Sequence, residues 1–207
     1  MNEDRVSRGQ ALLEASLFAL GGLAFVLSVA FDVPRRWAIV TLALALLAFA
    51  FSTRMRRLET LRDFGIRFDN FWASAREVGL FTLAAAALIV AVALTRGVSF
   101  DRPELWVLLP LYPLYGIAQQ LAVQGVLHRR LRRLAPNPFV CVVLTALGFG
   151  LLHANDLPLL ALTTFTGLFW SWLYSREANV VTLGISHGML AALAYPLLVE
   201  TNPLNNL

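Results

Sequence analysis

Seven stretches of this sequence, at about 11–31, 37–53, 78–95, 105–127, 139–154, 157–175 and 180–199, run almost free of charge. Several are near the lower length limit for a helix that crosses a ~30 Å hydrocarbon layer. Of 207 residues, 58 % are hydrophobic and 14 % charged, and the mean hydropathy is +0.67. A soluble chain of this size cannot hide that much apolar surface. The expectation is an all-α, polytopic membrane helix bundle of about seven transmembrane spans, with residues 1–207 forming a single membrane domain. Cys141 is the only cysteine, so an internal disulfide is excluded. The first run follows Arg5 and Arg8 and ends near Ser28-Val29-Ala30, which mimics a leader-cleavage site. It is too long for an ordinary leader and reads as a retained helix.

The net charge is +4 and every basic residue is arginine. A basic balance can mark a nucleic-acid binder, but these arginines sit between apolar runs rather than in a stripe with interleaved aromatics, so nucleic acid is not expected as a partner. With the N-terminus inside, Arg5, Arg8, six arginines of the 54–77 connector, four of Arg129–Arg133 and Arg176 fall on the cytoplasmic side. Only Arg35, Arg36, Arg96 and Arg102 fall outside. This asymmetry predicts an N-in, C-out orientation. The 54–77 connector alternates arginines with Phe64, Ile66, Phe68, Phe71 and Trp72, and reads as a cytoplasmic interfacial segment with rings at headgroup depth.

Polar groups within apolar spans are costly and therefore point to function. Three clusters occur. Gln119-Gln120-Leu-Ala-Val-Gln124-Gly125 places Gln120 and Gln124 on one helix face. Phe149-Gly-Leu-Leu-His153 closes the fifth run. Gly184-Ile-Ser186-His187-Gly188-Met-Leu-Ala191 lies in the seventh. Each also has a plain structural reading: glutamines as interhelical hydrogen-bond partners, and Gly184-xxx-Gly188 as a close-packing surface. His128, leading into an arginine-rich turn, is expected at the interface. Zinc-type spacing such as His-x-x-x-His is missing, and the fourth, fifth and seventh runs hold no Asp or Glu, so neither a metal nor another cofactor is expected. Ser186 adjoins His187 in sequence, but neighbouring helical residues point about 100° apart, which argues against a serine nucleophile.

In order and spacing the three clusters resemble the CPBP family, the CAAX-protease and bacteriocin-processing (Abi) intramembrane proteases. That family carries Glu-Glu-x-x-x-Arg, Phe-x-x-x-His and His-x-x-x-Asn on successive membrane helices. The resemblance extends over about 105–199. It takes in Gly125-Val-Leu-His-Arg-Arg-Leu, the Phe-Gly-Leu-Leu-His context and Arg176-Glu-Ala-Asn179. It places the family's catalytic positions on Gln119, Gln120, Gln124, His153, His187 and Ala191. In the family, as the resemblance implies, the first glutamate and the motif-two histidine activate a water. The motif-three histidine and asparagine steady the oxyanion. Here motifs one and three are degenerate: an amide cannot act as a base near neutrality, and Ala191 supplies no donor. Two anions and a cation have been replaced together by neutral amides, which keeps hydrogen bonding while removing charge.

Under the expected orientation Gln119 lies ~21 Å along the fourth run, whereas His153 sits at the outer end of the fifth. The two meet if the fourth helix begins late, after Pro110 and Pro113. His153 and His187 are then expected to face one another across the core, with Gln119 or Gln120 between them. Asp156 is the nearest spare carboxylate and a candidate replacement base; Asn155-Asp156-Leu-Pro158 also reads as a helix start. Three functions follow: an intramembrane endopeptidase processing membrane-associated peptide or protein substrates, a pseudoprotease that binds such segments or lipid without cleaving, and a purely structural or transporter-like bundle. The lipid bilayer, in the cytoplasmic membrane of a bacterium, is the expected setting.

Overall fold

Because lipid offers backbone groups no partners, an apolar segment satisfies them within itself as a helix. Every apolar run of this chain is helical in a computed structural model, which describes residues 6–31, 33–57 and 59–206. The order is α1 (Arg8–Ser28), α2 (Arg35–Arg57), α3 (Phe71–Thr95) and α4 (Glu104–Gln120), which continues through a π-helical segment (Leu121–His128) into α5 (Arg129–Leu134). Then come α6 (Pro138–Leu151), α7 (Leu157–Arg176) and α8 (Val180–Ala194), which ends in a second π-helical segment (Tyr195–Val199). No strand occurs among the described residues. Among the described residues, four helical stretches are long and apolar enough to cross a membrane: α1, α3, α7 and Val180–Val199. The apolar part of α2 (Arg36–Phe49) and α6 are shorter.

Polar residues in the connections set the helix starts. Ser7 and Gln10 form a reciprocal capping box on α1. Asn137 accepts the Val140 N–H at 2.9 Å, and Pro138 occupies the first position of α6. Asp156 accepts the Leu159 N–H at 3.0 Å, and Asn179 accepts those of Val181 and Thr182. Asp156 thus does what its sequence context implied: it caps α7.

The helix expected to begin late does not. α4 starts at Glu104 and passes through both Pro110 and Pro113. Proline removes an N–H and crowds the preceding turn, yet membrane helices tolerate it where neighbouring helices supply support. Here α8 lies hard against that turn. A Cβ on Gly188 would fall 2.3 Å from the Pro113 nitrogen, and one on Gly184 would fall 2.3 Å from the Ile117 Cα. Gly116 faces them, its own Cβ position 2.3 Å from the Gly184 carbonyl oxygen. The α4–α8 contact is therefore backbone against backbone, as the Gly184-xxx-Gly188 spacing suggested.

α8 is the central helix, with Leu183, Leu190, Ala192 and Leu197 of the same rod buried. Hydroxyl pairs join it to α3: Ser74 to Thr182 and Thr82 to Ser186, each at 2.7 Å. The outer surface is apolar: Leu12, Leu17, Leu20, Leu44, Leu47, Leu83, Leu88 and Leu114 are all exposed, as expected of a surface that faces lipid rather than water.

Within the connector, Phe64 turns into the protein rather than outward: it is 3 % exposed, with the Arg129 guanidinium 5.3 Å above its ring. Phe68 and Trp72 are exposed. The connector folds back on the bundle end because Gly65, at φ +83°, lets its carbonyl accept the Val180 N–H at 2.8 Å. Asn179 then donates to the Arg67 carbonyl and to Asn70 Oδ1, both at 2.9 Å. On the exposed side the Arg67 guanidinium, bonded to Asp69 at 2.7 Å, holds that carboxyl down at about 2, so the pair stays charged at any physiological pH.

The glycine contact makes a direct prediction. Gly184→Ala forces α4 and α8 apart and should destabilise the bundle by about 1–3 kcal/mol in detergent-solubilised thermal unfolding. Gly79→Ala, where nothing lies within 4 Å of the added carbon, should leave the midpoint unchanged or raised.

Candidate active site

The α4–α8 contact determines what the site can be. One turn beyond Gly116, the α-helical ladder gives way to π-helix at Leu121, a local rearrangement often found at functional positions. Gln120 and Gln124, on either side of that change, are both 0 % exposed. Gln120 Nε2 lies 3.5 Å from His187 Nδ1 on α8, the long end of a hydrogen bond. Since an NH₂ group donates, Nδ1 accepts and the ring proton sits on Nε2. Gln124, one turn on, donates from Nε2 to Ser171 Oγ of α7 at 2.9 Å.

His187 is held in an aromatic wall. Its ring centroid is 5.2 Å from that of Phe149, edge to face, and 5.0 Å from that of Trp170. His153 packs edge to face on the same Phe149 ring at 5.4 Å. Its Nδ1 is 3.2 Å from the Phe149 carbonyl oxygen. A carbonyl only accepts, so Nδ1 carries a proton in this contact. Both histidines therefore gather on Phe149, and Gln120 rather than Gln119 is the glutamine at His187. Gln119 is half-buried. Ala191, half-buried one turn after His187, offers only a methyl.

Two other sequence expectations are decided here. Ser186 is not aligned with His187; it accepts the Trp170 indole N–H at 3.0 Å and meets Thr82. His128, expected at the interface, is buried in the protein: it is 1 % exposed, with Nδ1 3.1 Å from Thr145 Oγ1 and Nε2 3.1 Å from Ser175 Oγ. Hydroxyls on α6 and α7 fix its ring, so the arginine run after it begins inside the protein. Among the described residues no three His, Cys, Asp or Glu side chains come together in a way that could hold a metal ion.

The sequence reading missed a buried ion cluster just beyond His128. Arg130 on α5 pairs with Glu14 of α1 and with Glu59 of the connector, the latter at 3.3 Å. Arg129 reaches the same Glu59 at 3.5 Å. All four side chains are nearly excluded from solvent. The available signal was Glu14, the one carboxylate in the first apolar run, whose burial demands a cation.

Comparison with known proteins falls on this region. Residues 101–193 match the family described as type II CAAX prenyl endopeptidase Rce1-like, a span that includes all three motif segments and Ala191. No curated protein matches, and no solved structure does. The matched span is under half of the chain, and together with the four long apolar helices among the described residues the similarity is that of an integral membrane protein.

The ion cluster carries its own prediction. Arg130→Leu leaves Glu14 and Glu59 buried with one cation fewer and should cost about 3–5 kcal/mol, read as a lowered unfolding midpoint in detergent. Arg130→Lys, which keeps the charge but loses the planar fork, should fall between the variant and the parent.

Proposed function

We propose that this chain, similar to the Rce1-like CAAX-protease family over residues 101–193, holds membrane-associated peptide segments in a protease-type site without glutamate-driven hydrolysis. The observation that carries this reading is the pair of fully buried, neutral amides Gln120 and Gln124 at positions where the family's motif places charged groups, with Gln120 directly on His187. Hydrolysis needs a base that takes a proton from water as it attacks; an amide cannot do so near neutrality. Asp156, the spare carboxylate, is engaged as the cap of α7. His153 and His187 remain on the shared Phe149 ring, so the framework that surrounds a substrate is retained while the base and one oxyanion donor are missing.

We place the site in a seven-span bundle with the N-terminus inside, in a bacterial cytoplasmic membrane. In support, one end gathers the segments that the arginine distribution assigns to the cytoplasm. There Arg133 donates to the Val6 carbonyl, Arg130 meets Glu14 and Glu59, and Val180 bonds Gly65. The other end joins Asn155 to the Val26 carbonyl and Arg96 to Leu198 and Glu200. Reporter fusions after residues 60 and 135 should report the cytoplasm, and fusions after residues 98 and 202 the outside. The reverse pattern would overturn the orientation.

Activity supplies the second test. The unaltered protein, purified into lipid and given membrane-tethered peptides, should show no turnover above background. The missing base alone costs roughly 10²–10⁴-fold and the missing oxyanion donor ~10²–10³-fold, not simply multiplied. A combined Gln119→Glu, Gln120→Glu, Gln124→Arg and Ala191→Asn variant should gain cleavage. Robust turnover by the unaltered protein that is lost on Asp156→Ala would overturn the non-hydrolytic reading and make Asp156 the base.

A further inference from the structure

A groove of about 330 Å³ opens on the outer surface between α3 and α7, and none of its lining residues belongs to the glutamine–histidine site. Its walls are Leu80 and Phe81 on α3, and Phe169, Trp172 and Leu173 on α7. The rings of Phe81 and Phe169 stack at 4.9 Å, and Phe81 meets the buried Trp170 edge to face at 6.2 Å. The wall is thus held by the core behind it. One end of the groove is charged. Arg176 Nη2 lies 3.4 Å from Glu77 Oε1, and the same guanidinium stands 4.8 Å over the Trp172 ring. Both charged side chains remain partly open, Arg176 at 52 % and Glu77 at 38 % exposure. Glu177, next in sequence, is turned away to Asn70 at 3.0 Å.

An ion pair this exposed contributes little to stability, and the 3.4 Å contact uses one of the five N–H donors of the guanidinium. Arg176 is the last residue of α7 and Glu77 the seventh of α3, so the pair stands where apolar helices give way to connections. That is the level of a lipid head when such helices span a bilayer. From Arg176 the α7 wall descends seven residues to Phe169, about 10 Å, within the ~15 Å of one leaflet. A ligand that fills both parts has an apolar chain and a head with charges of both signs. Phosphate oxygens suit the planar fork of Arg176. The carboxylate beside it repels a head that is only anionic, and accepts an N–H from one that also carries an ammonium. A quaternary ammonium has no N–H to give. We propose that the α3–α7 groove binds one phospholipid with a primary-amine head, its phosphate on Arg176, its ammonium on Glu77 and an acyl chain along Leu80 and Phe169.

The test varies the head and keeps the chains. The full-length protein in detergent is given equal amounts of three dioleoyl lipids, with phosphoethanolamine, phosphocholine or phosphoglycerol heads, and bound lipid is counted by native mass spectrometry. The ethanolamine lipid should be retained at roughly tenfold lower concentration than either of the others, the gain from a charge-assisted hydrogen bond that choline cannot make. Glu77→Gln should bring the ethanolamine and choline lipids level and improve retention of the glycerol lipid. Arg176→Gln should weaken all three. Leu80→Trp, which fills the groove and leaves both charges in place, should also weaken all three. Each substitution is at a partly or fully exposed side chain, and should one variant unfold, the other two still locate the site. Equal retention of the three lipids by the unaltered protein overturns the proposal and leaves the groove to bulk lipid or to a helix of another protein. Strongest retention of the glycerol lipid overturns it in favour of a plain anion contact at Arg176. An ethanolamine preference that survives both Glu77→Gln and Arg176→Gln places the lipid elsewhere and overturns it as well.

Discussion

The fold rests on the backbone contact between α4 and α8. Apolar side chains cannot drive helices together in lipid, because the surrounding chains are as apolar as they are. Association depends instead on close packing and interhelical hydrogen bonds. Gly116, Gly184 and Gly188 supply the first by removing every side-chain atom between two backbones. Ser74–Thr182 and Thr82–Ser186 supply the second on the α3 side of the same helix. The contact fixes the register of α4 against α8, and that register sets Gln120 on His187. The prolines of α4 are absorbed in the same place, since the turn they weaken is the one that α8 covers.

Charge is handled in a separate layer. The site itself holds amides, imidazoles, hydroxyls and rings, whereas the buried charges gather around Arg129 and Arg130, beyond the π-helical turn. Buried ions are tolerated when opposite charges meet and remaining polar atoms are bonded, and here two carboxylates from distant parts of the chain meet two arginines. One of them, Glu59, comes from the connector. The connector is thus part of the bundle end, with Phe64 beneath Arg129 and Gly65 bonded to the start of α8.

How much of this the sequence reveals follows from the range of each interaction. Helix positions were legible because hydropathy is a local property, and so was the Asn155-Asp156-Leu-Pro158 start of α7, since capping acts over three residues. The Gly184-xxx-Gly188 surface was legible as a motif, although its partner Gly116 was not. The candidate site was legible as three clusters in order, but not which glutamine meets His187: side-chain direction at Gln119 and Gln120 depends on the helix register imposed by α8. The burial of His128 was not legible because its neighbours in sequence are arginines, while its partners in space, Thr145 and Ser175, come from two other helices. Nor was that of Phe64, for the same reason. Glu14 and Glu59 are 45 residues apart in sequence, and nothing local announces that both meet Arg130.

The ion cluster also explains why the amides of the site form a self-consistent set. A carboxylate at position 120 would lie in a fully buried place, where an unpaired anion costs several kcal/mol. The cation that the family's motif provides four residues later is here Gln124, itself buried and bonded to Ser171. The next arginines along the same helix, Arg129 and Arg130, cannot substitute, because Glu14 and Glu59 already neutralise them. With no cation to spare, an anion at 120 would be stranded, and with no anion at 120, an arginine at 124 would be stranded instead. A charge at either position alone would be stranded; the neutral pair avoids that without needing both charges together. Its residual cost is two carbonyl oxygens without donors among the described residues, smaller than the cost of a buried ion.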